Sequence, residues 1–261
     1  QLVRSPGCYY GEEFDTKTGK RTYNSTVMPL RGAWLEYETD GNDIFWVRVD
    51  RTRKVPVTTL LRAIGIATDS QIIDLFGEEE MLKATINKDT IKDQDEALIE
   101  IYKKLRPGEL PTVDAARNLF NGLFYDNKRY DLAKVGRYKF NQKLALATRI
   151  KDKVSANDIV DSETGEVFVQ AGEIISEEVA EEIQDSGINI VDIMVGDKKV
   201  RIIGNSTCNI HKVLPTVDLS KLHIKELVNY NVLKNILSKQ SFDWLIIHPN
   251  LLIVVLKQSF E

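Results

Sequence analysis

Residues 31–62 constrain the fold of this 261-residue chain more than any other segment. Two stretches within it, residues 31–38 and 44–49, alternate large apolar residues with charged ones, and a period of two is typical of β-strands. The residues between them, 39–43, read Thr-Asp-Gly-Asn-Asp, which is the composition of a turn. The segment therefore predicts an antiparallel hairpin.

Helix signals follow the hairpin. Pro56 suits the first turn of a helix that continues through residues 58–64, because its ring fixes φ near the helical value. Asp69 is predicted to cap a second short helix over residues 71–76. Residues 78–94 are polar and only weakly periodic, so we expect a surface excursion there.

Two longer helices and a change in composition come next. The apolar spacing in residues 95–105 predicts a helix with one buried face. Thr112 is predicted to cap the following helix, residues 113–124. From residue 156 onward, glycines separate short strand-like stretches around one acidic helix, which indicates a compact β-rich module.

The chain is thus predicted to be an α+β protein. We assign residues 1–150 to a core of hairpin and helices, residues 151–237 to the smaller β-rich module, and residues 238–261 to a tail that fits neither. The apolar run in that tail, residues 251–256, is far shorter than the ~20 residues that a membrane-spanning helix needs. No membrane partner is expected.

Net charge argues against a chain that binds nucleic acid by overall electrostatics. The sequence has 35 Lys and Arg against 39 Asp and Glu, a formal net charge of −4. Any nucleic-acid contact must therefore come from local patches. One basic cluster stands out and consists of Arg48, Arg51, Arg53, Lys54 and Arg62.

The sequence gives no sign that the chain is an enzyme by itself. Cys8 and Cys208 lie far apart, which argues against a disulfide framework or a zinc site and favours a reducing compartment. His211, His223 and His248 are scattered, and neither of the two common glycine-rich phosphate loops occurs. We predict no metal, no cofactor and no catalysis for this chain alone.

Four blocks of sequence occur in a distinctive order: QLVRSPGCYY (1–10), RGAWLEYE with VRVDRTRKVPVTTLLRAIG (31–38 and 47–65), LIEIYKKLRPGELPTVDAARNLF (98–120) and YDNKRYDLAKVGRYKFNQKL (125–144). Together they resemble one family, the β subunit of bacterial DNA-directed RNA polymerase. The resemblance is close over residues 1–145 and weaker over 146–237. It implies the lobe, a pincer domain beside the DNA cleft, as a fragment of a much longer subunit.

The resemblance also implies a function and its setting. The parent reaction would be templated nucleotidyl transfer, with the catalytic Mg²⁺ held by a different subunit, in the cytoplasm. Implied partners are the other polymerase subunits, a σ factor, DNA as non-template strand and downstream duplex, and transcription regulators. The fragment itself would form one wall of the cleft and hold melted DNA.

Trp34 is the first candidate contact residue. Strand alternation places it on the face of Glu36, the wetter face, where an indole ring can stack on an unpaired base. The alternative is a tryptophan that packs on its own core. The resemblance favours the first role, with Trp34 contacting the non-template strand near the downstream fork.

Further candidates are charged residues near the hairpin. Arg4, Asp50, Arg51 and Arg53 are placed by the resemblance near the non-template strand, and arginine suits phosphate because its planar group stays charged and donates two hydrogen bonds. Local pairing with carboxylates is the alternative for each arginine. Where many relatives have another arginine, this chain has Thr52.

Other candidates lie outside the hairpin. The resemblance places Arg106 and Arg129 toward single-stranded DNA, whereas their positions at helix ends also suit capping of carbonyl groups. Gln1 would border the pocket of rifamycin-type antibiotics. A basic ridge of Lys134, Arg137 and Lys139 has two open roles, DNA contact or a structural bridge to the neighbouring protrusion.

Two other functions stay open. The acidic second half, residues 173–192, favours a protein-docking module for transcription regulators. The unmatched tail raises the alternative of a truncated, non-functional gene fragment.

Overall fold

A computed structural model describes residues 4–16, 19–161, 164–215 and 227–239. The chain forms two compact units, Gln1–Lys139 and Phe140–Glu261. Gln1 and the predicted tail beyond residue 239 lie outside the described residues. Antiparallel sheets and helices occur in both units, which confirms the predicted α+β class.

The first unit contains a five-stranded antiparallel sheet whose spatial order follows the chain. Its strands are β1 (Gly7–Asp15), β2 (Lys20–Met28), β3 (Leu35–Thr39), β4 (Phe45–Val49) and β5 (Val55–Pro56). Each strand is joined to the next by a short connection, so neighbours along the chain are neighbours in the sheet.

The predicted hairpin is confirmed as β3 and β4, which pair from Leu35 with Val49 to Thr39 with Phe45. The Asp40 carboxylate closes the turn, because it accepts hydrogen bonds from the backbone N–H groups of Asn42 (2.9 Å) and Ile44 (3.1 Å). Both strands begin later than the sequence predicted.

Six helices follow the sheet, and the last of them crosses the division between the units. They are α1 (Val57–Ile64), α2 (Asp69–Phe76), α3 (Glu80–Lys88), α4 (Gln94–Leu105), α5 (Val113–Phe124) and α6 (Ala133–Leu144). One core joins β4, β5, α1, α4 and α5 and includes Val47, Val49, Leu60, Leu98, Ile101 and Phe120.

The predictions for α4 and α5 are confirmed. Ala97, Leu98 and Ile101 form the buried face of α4. Thr112 caps α5, since its hydroxyl oxygen accepts a hydrogen bond from the N–H of Ala115 at 3.3 Å.

Two local predictions are wrong. The cap of α2 is Thr68, because its side chain and that of Gln71 each accept a hydrogen bond from the other's backbone N–H at 3.2 Å. The stretch expected as a surface excursion contains α3, which buries Leu82 and Ile86 against Ile72. Only one narrow face of α3 is apolar, so its helical period is weak in the sequence.

Arg62 is also not where its charge suggested. The sequence grouped it with the exposed basic cluster, but its side chain is 1% exposed. Its guanidinium donates to the carbonyl oxygen of Ala67 (2.5 Å) and to the carboxylate of Asp69, and its Nε lies 3.9 Å from Asp89. Nε itself has no hydrogen-bond partner among the residues that the structure describes.

Asp89 completes this buried network. Its side chain is 1% exposed and accepts hydrogen bonds from the hydroxyl groups of Thr58 (2.5 Å) and Thr59 (3.1 Å) and from the N–H of Ile91 (3.0 Å). Two buried charges are thus neutralised together, as burial requires. The network holds α1 to the segments before α2 and α4.

In its described residues the second unit has short strands and the helices named below. The strands are β6 (Val154–Ser155), β7 (Ile159–Val160), β8 (Val167–Val169), β9 (Ile190–Val195), β10 (Lys198–Ile203), β11 (Thr207–Cys208) and β12 (Val228–Asn229). The helices are α7 (Leu146–Ile150), α8 (Glu177–Asp185), α9 (Ile210–Val213) and α10 (Tyr230–Lys239). The acidic helix predicted from the sequence is α8.

Asp192 on β9 is the most strongly held carboxylate of this unit. It accepts two hydrogen bonds from Arg201, at 2.8 and 3.2 Å, and lies 3.1 Å from the ammonium group of Lys199. The hydrogen bonds from Arg201 lower the pKa of Asp192 more than burial raises it. β9 and β10 are therefore tied together on one face by charge.

Replacing Arg62 with methionine should lower the free energy of unfolding by roughly 3–5 kcal/mol. The substitution leaves the buried carboxylate of Asp89 without its cation. Urea unfolding of the 261-residue chain measures the loss. The control is Arg117→Met, which removes an exposed ion pair with Asp95 and should cost under ~1 kcal/mol. Equal losses for the two variants would contradict the structural role of the network.

Acid should destabilise the chain partly through Asp192. Because its pKa is lower in the folded state than in the unfolded state, its contribution is complete above the unfolded pKa of ~3.9 and disappears as pH falls through the folded value. Asp192→Asn should therefore flatten the pH dependence of unfolding below about pH 4. Urea midpoints measured from pH 2 to 7 test this, and an unchanged acid limb would refute it.

Candidate nucleic-acid interface

The register of the sheet brings most of the predicted site residues to one end of it. Gly7 at the start of β1 pairs with Met28, and Leu35 at the start of β3 pairs with both Val27 and Val49. Chain segments that enter β1 and β3 and leave β4 therefore meet at this end. The segments carry Arg4, Trp34, Asp50, Arg51 and Arg53. We call this region the Trp34 end of the sheet.

A tight turn at the end of β4 shapes this region. The N–H of Thr52 donates to the carbonyl of Val49 at 3.2 Å, and the two residues between them, Asp50 and Arg51, have φ of 50° and 62°. Left-handed backbone costs a residue with a side chain about 1–2 kcal/mol. The N–H of Asp50 also donates to the carbonyl of Trp34 at 2.9 Å, so the turn is anchored to the start of β3.

The turn places the guanidinium of Arg51 over the indole ring of Trp34. The distance from its central carbon to the ring centroid is 4.8 Å, which is a cation–π contact. Trp34 is half-buried and lies just before β3, not within a strand as predicted. One side of the indole is therefore covered by a planar cation.

The backbone just after Arg129 adjoins the same region through a second contact, whereas the Arg129 guanidinium lies beside Gly122 of α5. Leu30 donates to the carbonyl of Asp131 at 2.8 Å, and Asp131 donates to the carbonyl of Arg31 at 2.9 Å. Gly32, with φ of 121°, makes the approach possible, since a Cβ there would lie 2.6 Å from the ring of Tyr130. The loop before Trp34 and the segment after α5 are thus held together.

Arg106 is not part of this arrangement. It ends α4 as its C-cap residue, and its guanidinium lies 3.4 Å from the carboxylate of Glu109. The same carboxylate accepts a hydrogen bond from the Tyr102 hydroxyl at 2.6 Å. The strand register does not bring Arg106 to the Trp34 end.

Several basic residues near the hairpin are paired within the chain. Glu38 lies 3.5 Å from Arg48 and 2.9 Å from Lys54, and Lys54 also sits 4.9 Å above the ring of Trp46. Arg129 pairs with Asp126 at 3.4 Å. Arg4 and Arg53, by contrast, are exposed and form no ion pair with a described carboxylate.

The structure adds Arg31 to the candidate set. It is exposed and lies in the loop that leads to Trp34. The signal for it was present in the sequence, since Arg31 opens the same block as Trp34, but alternation alone placed it in a strand.

Comparison with known proteins decides the family. The family described as RNA polymerase Rpb2, domain 2, matches residues 4–162. This chain belongs to that family. Apart from Gln1, every predicted site residue lies within the matched range.

Individual relatives of this Rpb2 domain 2 protein match a longer part of the chain than the family does. It is 62% identical to the DNA-directed RNA polymerase subunit beta of Clostridioides difficile over 92% of the chain, and 59% identical to that of Clostridium novyi over 91%. The subunit of Clostridium perfringens is 57% identical over 92%. The chain spans 19% of the length of each relative. The resemblance stated from the sequence is confirmed.

None of the described helices is both long enough and apolar enough to cross a bilayer.

Trp34 and Arg51 should be energetically coupled. A double-mutant cycle with Trp34→Leu and Arg51→Ala should give a coupling free energy of about 0.5–1 kcal/mol in urea unfolding, because the cation–π contact is lost in either single variant. The matched cycle uses Arg53→Ala, an exposed arginine two residues along the chain, and should give none. Equal coupling in the two cycles would mean that the contact contributes nothing specific.

Proposed function

We propose that this chain is the lobe of an RNA polymerase β subunit and that the Trp34 end of its sheet holds the unpaired non-template strand. The single observation that carries the proposal is the indole of Trp34 with Arg51 stacked on it, beside exposed arginines. Family membership supplies the setting, because the matching relatives are named as DNA-directed RNA polymerase β subunits.

A supported indole suits an unpaired base. Arg51 covers one side of the ring and is itself fixed by the turn, so the ring is held before any ligand arrives. The other side is then the stacking surface. Stacking of a base on an aromatic side chain contributes ~1–3 kcal/mol and tolerates any sequence, since every base has a flat face.

The charges around Trp34 divide into two groups. Arg4, Arg31 and Arg53 are exposed and pair with no described carboxylate, so they can meet phosphates without breaking an internal ion pair. Arg129 must first leave Asp126, which reduces its net gain. Asp50 repels phosphate and is instead suited to accept a hydrogen bond from the amino group of a base.

Arg106 takes a separate role in this proposal. Its pairing with Glu109 at the end of α4 leaves it more than half exposed, so it can contact single-stranded DNA at a second point of the cleft. Gln1, at the proposed border of the antibiotic pocket, keeps that role as a prediction from the family resemblance.

Catalysis belongs to the rest of the enzyme in this proposal. The chain would act by position and charge within a cytoplasmic polymerase that transfers nucleotides on a template, with the Mg²⁺ held by another subunit. Its partners would be the other subunits, a σ factor, DNA and transcription regulators.

Trp34→Leu should weaken binding to forked DNA by roughly 5- to 150-fold, the loss of one stacked base. The measurement is fluorescence anisotropy of a labelled fork with an unpaired non-template strand, titrated with the 261-residue chain at low salt. A fully paired duplex of the same length should bind both forms equally, because it has no base to stack.

The chain offers a matched control for this substitution. Trp46 lies in the same sheet and also has a cation above its ring, but it sits within β4 and donates a hydrogen bond to Asp40 at 2.8 Å. Trp46→Leu should leave the preference for the fork unchanged, with circular dichroism confirming that both variants fold. Equal losses of fork preference would contradict a specific stacking role for Trp34.

A further inference from the structure

Helix α6 carries basic residues and no acidic ones, although the net charge of the whole chain is negative. Along its length α6 has four Lys or Arg and neither Asp nor Glu. No carboxylate of α6 itself can therefore neutralise its cations. Such separation of charge gives a local positive potential that a net charge of −4 conceals.

One face of α6 is occupied by packing within the first unit. Gly136 is buried, and a Cβ there would lie 3.4 Å from Pro6. Lys139 folds over the same segment, where its ammonium donates to the Ser5 hydroxyl at 2.9 Å and lies 5.6 Å from the ring centroid of Tyr9. Lys139 thus serves the structure.

Lys134 and Arg137 lie off the packed face of the helix. At 3.6 residues per turn, Lys134 is roughly opposite Gly136 and Arg137 is about 100° from it, and both are exposed. Residues three apart on a helix are neighbours on its surface, so the two cations form one patch. Neither pairs with a carboxylate among the residues that the structure describes.

This patch differs from most basic sites of the first unit. Arg106, Arg117 and Arg129 are equally exposed, yet each lies within 3.4 Å of a carboxylate. An external polyanion has to displace that carboxylate before it gains anything. At Lys134 and Arg137 it displaces only counterions and water, which is the favourable source of phosphate binding.

The start of α6 is linked to the Trp34 end of the sheet. Asp131, whose carboxylate accepts a hydrogen bond from the N–H of Ala133 at 2.8 Å, is also bonded to the loop before Trp34. Pro6, which packs on the Gly136 face of α6, follows Arg4 by two residues. α6 therefore adjoins two of the chain segments that carry the proposed DNA contacts, the one before β1 and the one before Trp34.

We propose that the outer face of α6, through Lys134 and Arg137, is a second nucleic-acid contact surface that binds the phosphodiester backbone. The inference rests on the proposed function, because the adjoining surface is the one assigned to DNA. It assigns α6 no reading of base sequence, since ammonium and guanidinium groups on phosphates position the strand only.

Salt dependence tests this surface separately from Trp34. The double variant Lys134→Ala with Arg137→Ala should bind a 20-base-pair labelled duplex more weakly than the parent chain. The slope of log K against log salt should fall in magnitude by about 2, one for each lost phosphate contact. The preference for fork over duplex, which reports Trp34, should stay unchanged.

The control removes the same charge elsewhere. Lys88→Ala with Arg117→Ala changes two exposed cations on α3 and α5 and should leave the slope at the parent value. Equal slopes for the two double variants, or no binding of the parent chain to duplex at 20 mM salt, would overturn the inference. So would displacement of the duplex by polyglutamate at the same charge concentration as by unlabelled DNA, because the face would then be a site for acidic protein.

Crosslinking gives a second, independent measurement. The two native cysteines, Cys8 and Cys208, are buried, and burial raises the pKa of the Cys208 thiol to about 12, so neither competes for a thiol reagent. A photoreactive group attached to the new thiol of Arg137→Cys should crosslink to DNA, whereas the same group on Arg117→Cys should not. Equal yields would reject α6 as the contact.

Discussion

The buried ion pair of Arg62 with Asp89 and Asp69 is the constraint on which the first unit depends. α1 follows β5 without a connecting loop, so whatever fixes α1 also fixes the edge of the sheet. The guanidinium holds α1 to the segment before α2, and the hydroxyl groups of Thr58 and Thr59 hold it to Asp89 before α4. The turn that carries Asp50 and Arg51 is attached to this fixed edge.

A fixed edge makes a strained turn sustainable. Two consecutive left-handed residues without a glycine persist only where surrounding contacts determine the backbone. Here those contacts are the pairing of β4 with its neighbours and the hydrogen bond from Asp50 to Trp34. The strained turn orients the side chain of Arg51 toward the indole of Trp34. A relaxed turn would leave the arginine and the tryptophan apart.

Sequence patterns predicted the elements whose signal is local. The alternation around Asp40 gave the hairpin, and Thr112 with the apolar spacing after it gave α5, since turn chemistry and capping act within a few residues. The pattern failed where a distant partner decides the outcome. The sequence alone indicates that Arg62 is a surface charge. Its burial depends on Asp89, which is 27 residues later in the chain and is buried beside it. Thr68 and Asp69 are both residue types that cap helices. The Asp69 carboxylate is hydrogen-bonded to Arg62, and Thr68 is the N-cap of α2.

The candidate site divides in the same way. The block resemblance pointed to Trp34, Arg4 and Arg53, and the sheet register explains why residues so far apart in sequence lie at the same end of the sheet. No pattern of one chain predicts the stacking of Arg51 on Trp34, because it depends on two left-handed residues that carry no glycine. Whether Arg106 and Arg129 point outward or pair locally is likewise set by Glu109 and Asp126, three residues away on the loops they share.

The close approach of Gly32 to Tyr130 has a mechanical consequence. With no room for a side chain at residue 32, the loop before Trp34 packs directly against the segment before α6. In the proposed function, a base stacked on the indole would therefore be linked to the start of α6 through Asp131. Binding of a base at Trp34 and binding of the phosphodiester backbone at α6 would then be mechanically coupled.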